Sequence, residues 1–125
     1  MIPPPKGKVN TVTIGDVVIA QLMESRILDD STILGITNEL AVITSEAYKL
    51  KLLLDLANVE YLSSAVLGKI IALHKKITAE KGQLKLCGIK PAIMQVFQIT
   101  KLDKLIEIYP DQAKALNAFK VKKFF

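Results

Sequence analysis

Two β-branched-rich runs, Val9 to Ile14 and Val17 to Met23, flank Gly15-Asp16, a two-residue turn signal, so the chain opens on an expected β-hairpin. The apolar period then changes. Ile33, Ile36, Leu40, Ile43 and Ala47 recur at spacings of three and four, the stripe of an amphipathic helix with one buried face. Asp30 or Ser31, just after Ile27-Leu28-Asp29, can cap its start.

Lys51 to Leu56 is short and almost uniformly apolar, as a central strand covered on both faces should be. From Ser64 to Lys81 the stripe Val66, Ile70, Leu73, Ile77 predicts a second helix, with Gly82 as its C-terminal cap. Gln83 to Cys87 reads as a strand with Leu84 and Leu86 on one face. Pro91 suits the first turn of a third helix that turns Ile93, Val96 and Phe97 inward. Leu105 to Tyr109 is a last strand, and Pro110-Asp111 opens a final helix carrying Ala113, Leu116 and Phe119.

The predicted order ββαβαβαβα, with short connections, gives an α/β fold. Its sheet is mixed, with an N-terminal hairpin, parallel later strands and about four helices. At 125 residues the expectation is a single domain over 1–125, with short flexible tails at about 1–8 and 120–125. Half of the residues are hydrophobic, enough for a core and too many for a disordered chain.

The amino terminus, Met1-Ile2-Pro3-Pro4-Pro5-Lys6, has no apolar signal core, and no run approaches the roughly 20 apolar residues of a membrane span. A cytoplasmic protein is the default expectation. The net charge of +5 is unevenly spread: residues 1–48 hold three bases against six acids, and the remainder carries +8. A basic half could attract nucleic acid, but its lysines are scattered with few aromatics among them, and Arg26 is the one arginine. No nucleic-acid partner is expected.

Catalytic chemistry finds little support. His74 is the one histidine and falls inside the second helix beside Lys75 and Lys76, an awkward place from which to serve a Ser-His-Asp triad. Cys87 is the one cysteine; it excludes an internal disulfide, and within an apolar strand it reads as a buried structural thiol. Neither a phosphate-binding Gly-rich loop ending in Lys-Ser/Thr nor a dinucleotide-binding Gly turn occurs. Asp29, Asp30 and Asp55 could mimic the acidic pocket of a phospho-accepting receiver domain. That pocket also needs a lysine at the end of a late strand, where this chain has Ile108-Tyr109-Pro110. No cofactor and no metal are expected.

What remains is Ser63-Ser64, at the start of the second predicted helix. Either serine can cap it by accepting a backbone N–H bond. The same place receives a phosphate well, because free N–H groups and the helix dipole favour an anion there. A phosphoserine would bring about −1.5 to −2 charges. Such a group would change a binding surface with little refolding.

At these residues the chain resembles the STAS family, the domain of bacterial anti-sigma factor antagonists. Members show a strand, a loop, and Asp-Ser-Ser-Gly-Leu-Gly or a close variant opening a helix. The matching run here is Ser63-Ser64-Ala65-Val66-Leu67-Gly68, gapless from Asn58-Val59 onward. Leu28-Asp29 is similar to the family's Leu-Asp before the first helix. Pro91 through Phe97, then Leu102 and Ile108-Tyr109, is similar to the family's ending.

The resemblance implies a binding module rather than an enzyme. The unphosphorylated domain would bind an anti-sigma factor, often itself a serine kinase, and a phosphatase would reverse the modification. Ser64 falls on the family's phosphorylated serine, and the implied partner-binding set is Asp29, Asp30, Ser63, Ser64, Val66 and Lys69. Ser63 stands where the family has an acid, Ala65 replaces a second serine, and Val66 replaces a glycine, which would set a β-branched side chain near the partner surface. The alternative is a non-switching STAS scaffold, a regulatory subunit of a transporter or signalling complex.

Overall fold

The structure, a computed structural model, describes residues 7–46 and 48–120, the last by its backbone alone. Strands β1 (Val9–Ile14) and β2 (Val17–Leu22) form the expected hairpin, antiparallel from Val9 opposite Leu22 to Ile14 opposite Val17. Gly15 at the turn adopts φ 62°, a left-handed conformation that a residue without Cβ reaches at little cost.

Two-residue strand β3 (Arg26–Ile27) follows, then helix α1 (Asp30–Ile43), strand β4 (Lys51–Asp55), two-residue strand β5 (Tyr61–Leu62) and helix α2 (Ser64–Ala79). Strand β6 (Gln83–Cys87), helices α3 (Pro91–Ile99) and α4 (Leu102–Leu105), strand β7 (Glu107–Tyr109) and helix α5 (Gln112–Lys120) complete the described chain. The main sheet has the order β1-β2-β4-β6-β7, and every pair after the hairpin is parallel.

Strand β4 is central, and its alternating leucines face two cores. Leu52 and Leu54 pack with Ile36, Ile70, Ile93 and Phe97, beneath the first three helices. Leu53 points the other way, toward Ala115 and Phe119 of α5. All three are fully buried, and truncating any of them to alanine would cost about 2–5 kcal/mol.

Several local expectations need correction. Helix α1 is capped by Asp29, neither by Asp30 nor by Ser31. Val96 is 40% exposed, because Ile93 and Phe97, one turn apart, already fill the inward line of α3. The final helix turns Ala115 and Phe119 inward and leaves Ala113 exposed. Leu105 ends α4 with its side chain exposed, so the last strand begins only at Glu107.

After α2, Lys81 rather than Gly82 takes the left-handed conformation, at φ 65°. Gly82 is there for closeness: a Cβ on it would lie 2.4 Å from the Leu50 carbonyl oxygen. Of the expected tail at 1–8, Lys8 is tied down, its N–H donating to Glu39 at 2.7 Å and its carbonyl accepting from Met23 at 2.8 Å. Lys120 closes α5. Gly7 is exposed, and residues 1–6 and 121–125, with Ala47 of the first helical stripe, lie outside the described residues.

Candidate functional site

Ser63 stands at the N-cap of α2 in extended conformation, φ −83° and ψ 158°, and its side chain makes no capping bond. Its hydroxyl is turned inward and has no hydrogen-bond partner. Ser64 is the first helical residue and is exposed. The first turn of α2 contains no acid, so neither a capping side chain nor a carboxylate offsets the partial positive charge of that helix end.

The start of α1 is the opposite case. Asp29 accepts from the Thr32 N–H at 3.1 Å and from the Thr32 hydroxyl at 2.8 Å. These bonds, the hydroxyl's first, hold the Asp29 carboxyl below its ordinary pKa. Asp30 adds a second exposed carboxylate in the first turn.

The two helix starts are brought together by β3 and β5. Arg26 pairs with Tyr61 and Ile27 with Leu62 in parallel register, and the Ser63 N–H then donates to the Ile27 carbonyl at 3.0 Å. Asp29 lies two residues beyond Ile27 and Ser64 two beyond Leu62, so both leave the ladder at the same level. The N–H groups of Glu60 and Tyr61 both donate to the Ser25 carbonyl, at 2.8 and 3.0 Å, fixing the other end. Arg26 lies over the Tyr61 ring, 4.6 Å from its centroid, and both side chains are exposed. The sequence carries no signal for this cation–π pair, because two-residue strands have no period to read.

Below the site, the loop from β4 to β5 is held by buried Asp55. One carboxylate oxygen accepts from the Ala57 N–H at 2.9 Å and the other from the Gln112 side-chain amide at 2.6 Å. The Lys90 ammonium donates to the Ala57 carbonyl. Asp55 therefore supports the loop from beneath and is not part of an exposed acidic pocket.

Asp29, Asp30, Ser63 and Ser64 thus converge on one end of the domain. Lys69 is exposed farther along α2. Val66 is not on the surface: it is 5% exposed and packs into the core, which corrects its expected place near a partner. The valine that stands at this position adds to the core rather than to the exposed end of the domain.

Other reactive groups lie away from this end. Cys87 is buried on the α5 side, and burial, reinforced by the negative charges of Asp55 and Asp111, raises its thiol pKa to about 12. It is a poor nucleophile at neutral pH. His74 is half-buried on α2 with an unpartnered Nδ1. Among the described residues no cluster of His, Cys, Asp or Glu is placed to hold a metal ion. No helix among them is long and apolar enough to cross a membrane.

The STAS domain profile matches residues 8–115, from the start of the hairpin into α5. The chain is 31% identical over 70 residues to BtrV of Bordetella bronchiseptica, provisionally named an anti-sigma factor antagonist; the match covers 56% of this chain and 60% of BtrV. It is 27% identical over 70 residues, with the same coverage, to the anti-sigma F factor antagonist of Paenibacillus polymyxa. These matches span about three-fifths of the length of each relative.

Among solved structures, a STAS domain protein of Planctomyces limnophilus superposes with a TM-score of 0.83 at 22% identity, over 90% of this chain and 98% of that one. An anti-sigma factor antagonist candidate of Thermotoga maritima gives 0.77 at 25% identity, over 88% and 92%. The fold, the order of its elements and the profile match agree: the chain belongs to the STAS domain family.

Proposed function

We propose that this protein is a cytoplasmic anti-sigma factor antagonist, a binding module rather than an enzyme, whose affinity for its partner is set by phosphorylation of Ser64. The observation that carries this reading is the position of Ser64. It is an exposed hydroxyl on the first residue of a helix whose N-terminus has no side-chain cap and no acid. A phosphate attached there is stabilised by the helix end from within the protein.

The paired helix starts explain how the modification acts outward. Asp29 and Asp30 already give this end two negative charges. Phosphorylation adds about −1.5 to −2 more. A partner that approaches the unmodified surface meets a mixture of two carboxylates, a serine hydroxyl and the nearby Arg26. After modification it meets a strongly acidic end, with α1 and α2 unmoved. Repulsion and desolvation of the phosphate then oppose the complex.

The partner under this reading is an anti-sigma factor with serine kinase activity, and a phosphatase reverses the reaction. The test uses the purified chain, its cognate anti-sigma factor and ATP. Mass spectrometry should place a single phosphate on Ser64. Ser64→Ala should remain unmodified and bind, and Ser64→Asp should bind at least tenfold more weakly. Equal binding by both variants would instead identify a scaffold without a switch.

A further inference from the structure

We propose that the cleft between α1 and α2 is a binding site for a single-chain amphiphile, a medium-chain aliphatic carboxylate. The two helices cover the same face of the sheet but leave a half-open cavity of about 260 Å3 between them. Its floor is Leu22, Ile27 and Leu54, and its walls include Ile36 and Leu40 of α1 and Ile70 of α2. An apolar cavity of this kind gains nothing from water, which finds no partners there.

The lining selects the tail. Its apolar side chains are all aliphatic, with no aromatic ring on which a planar ligand could stack. Its two hydroxyls are already committed: Thr37 donates to the Ile33 carbonyl at 2.7 Å, and Thr44 to the Leu40 carbonyl at 2.9 Å. A ligand with buried heteroatoms would leave them unpaired, whereas a hydrocarbon chain would not. A cavity of about 150 Å3 admits benzene, so the larger volume here suits a chain of roughly eight to ten carbons.

The mouth selects the head group. Lys69 and Lys76 line the cleft from α2, two helical turns or about 10.5 Å apart along the axis. Their four-carbon stems allow both ammoniums to lean toward one anion while lying on apolar surface. Among the described residues neither forms an ion pair, and no carboxylate lines the cleft. Helix α1 carries two acids: Asp30, in its first turn, does not line the cleft, and Glu39 is held by the N–H groups of Lys8 and Val9 at 2.7 and 3.0 Å. Apolar walls with two free cations and no free acid at the rim complement an anionic amphiphile.

The test is a methyl-NMR titration of the full chain with decanoate, with 1-decanol as the uncharged probe. Decanoate should shift the methyls of Ile33, Ile36, Leu40 and Ile70 saturably, with Kd on the order of 100 µM. Lys69→Met combined with Lys76→Met should weaken decanoate by roughly five- to tenfold and leave decanol unchanged. Ala72→Phe, at an exposed position on the rim, should block both probes, and Ala41→Phe across the mouth gives the same check should the first variant fold poorly.

No saturable shift by about 2 mM decanoate, roughly twentyfold above the expected Kd, would overturn the proposal. Binding that survives both phenylalanine substitutions, or that loses decanoate and decanol alike with the lysines, would overturn it too. None of these outcomes depends on Ser64 or on an anti-sigma factor.

Discussion

The backbone N–H of Ser63 donates to the carbonyl of Ile27 across 3.0 Å, joining segments 36 residues apart in the chain. That bond continues the pairing of Ile27 with Leu62 and puts the starts of α1 and α2 side by side. The two starts then differ: α1 is capped by the Asp29 carboxylate and carries Asp30 in its first turn, and α2 has neither a capping side chain nor an acid there. A domain with one satisfied and one unsatisfied helix end on the same edge has a built-in place for an added anion.

Ser64→Asp should therefore stabilise the isolated domain while weakening its complex. A carboxylate in the first turn of an uncapped helix contributes about 0.5 kcal/mol, or roughly 1–3 °C in Tm for a domain of this size. The gain should shrink in about 1 M salt, where the screening length falls to about 3 Å. Thermal unfolding of wild type, Ser64→Ala and Ser64→Asp at low and high salt measures this. A fall in Tm for Ser64→Asp would mean that repulsion from Asp29 and Asp30 outweighs attraction by the helix end.

Asp29 makes the complementary prediction at acid pH. Its folded pKa lies below its unfolded value because the carboxylate, not the acid, accepts the two Thr32 bonds. The stabilisation is thus fully present above the unfolded pKa, near 3.9, and is lost as pH falls through the lower folded value. Asp29→Asn keeps an acceptor and should preserve most of the cap while removing this pH dependence. Asp29→Ala should lower Tm by a few degrees at pH 7. Unfolding curves between pH 2 and 7, spanning roughly the carboxylate range, separate the two variants.

Much of this fold is legible in the sequence because the long elements carry strong periods. The hairpin, the leucines of β4 and the stripes of α1 and α2 each repeat over enough residues to fix type and face. The two-residue strands β3 and β5 and the four-residue α4 are too short for any period. Short helices are also read in the wrong phase. Val96 and Ala113 are displaced from the core because Ile93 with Phe97, and Ala115 with Phe119, take the inward line at i, i+4 spacing. At the site, the serines, Asp29 and Asp30 stand out as candidate helix-start residues. Their adjacency does not, since it depends on a pairing between distant segments. The core position of Val66 follows from its stripe with Ile70, which outweighs an analogy to the family's glycine.

Lys85 is a further residue whose role the strand pattern hides. It is 7% exposed, under Phe119 and Tyr109, with its ammonium 5.0 and 5.8 Å from their ring centroids and 2.6 Å from Glu107. The Lys85 bond, with a second from the Tyr109 hydroxyl, lowers the Glu107 pKa. Protonating Glu107 at acid pH, or replacing it with glutamine, leaves a largely buried ammonium without its counter-charge. Because Glu107 is itself 62% exposed, Glu107→Gln should cost about 1 kcal/mol, well short of a fully buried pair. Lys85→Met should be near neutral, and Glu107→Gln in that background should cost almost nothing. A double-mutant cycle by urea denaturation measures the coupling; full additivity would show that the pair contributes nothing.

Two glycines on α2 and just beyond it should respond to alanine in opposite directions. Gly68 is exposed within the helix, and a Cβ there would meet nothing within 4 Å. Gly68→Ala removes backbone entropy from the unfolded chain and improves helix propensity, so it should stabilise by about 0.5–1 kcal/mol. At Gly82 a Cβ would lie 2.4 Å from the Leu50 carbonyl oxygen and 2.8 Å from an Ile77 methyl. The first of these is backbone, held in place by the Gln83 N–H donating to the same carbonyl at 2.8 Å. Gly82→Ala must therefore shift the turn that delivers the chain from α2 into β6, beside the central strand, at a cost of about 2 kcal/mol or more. Urea midpoints for the two variants should move apart on either side of wild type with unchanged m-values. A Gly82→Ala midpoint equal to wild type would show that this turn can yield without disturbing the β4–β6 pairing.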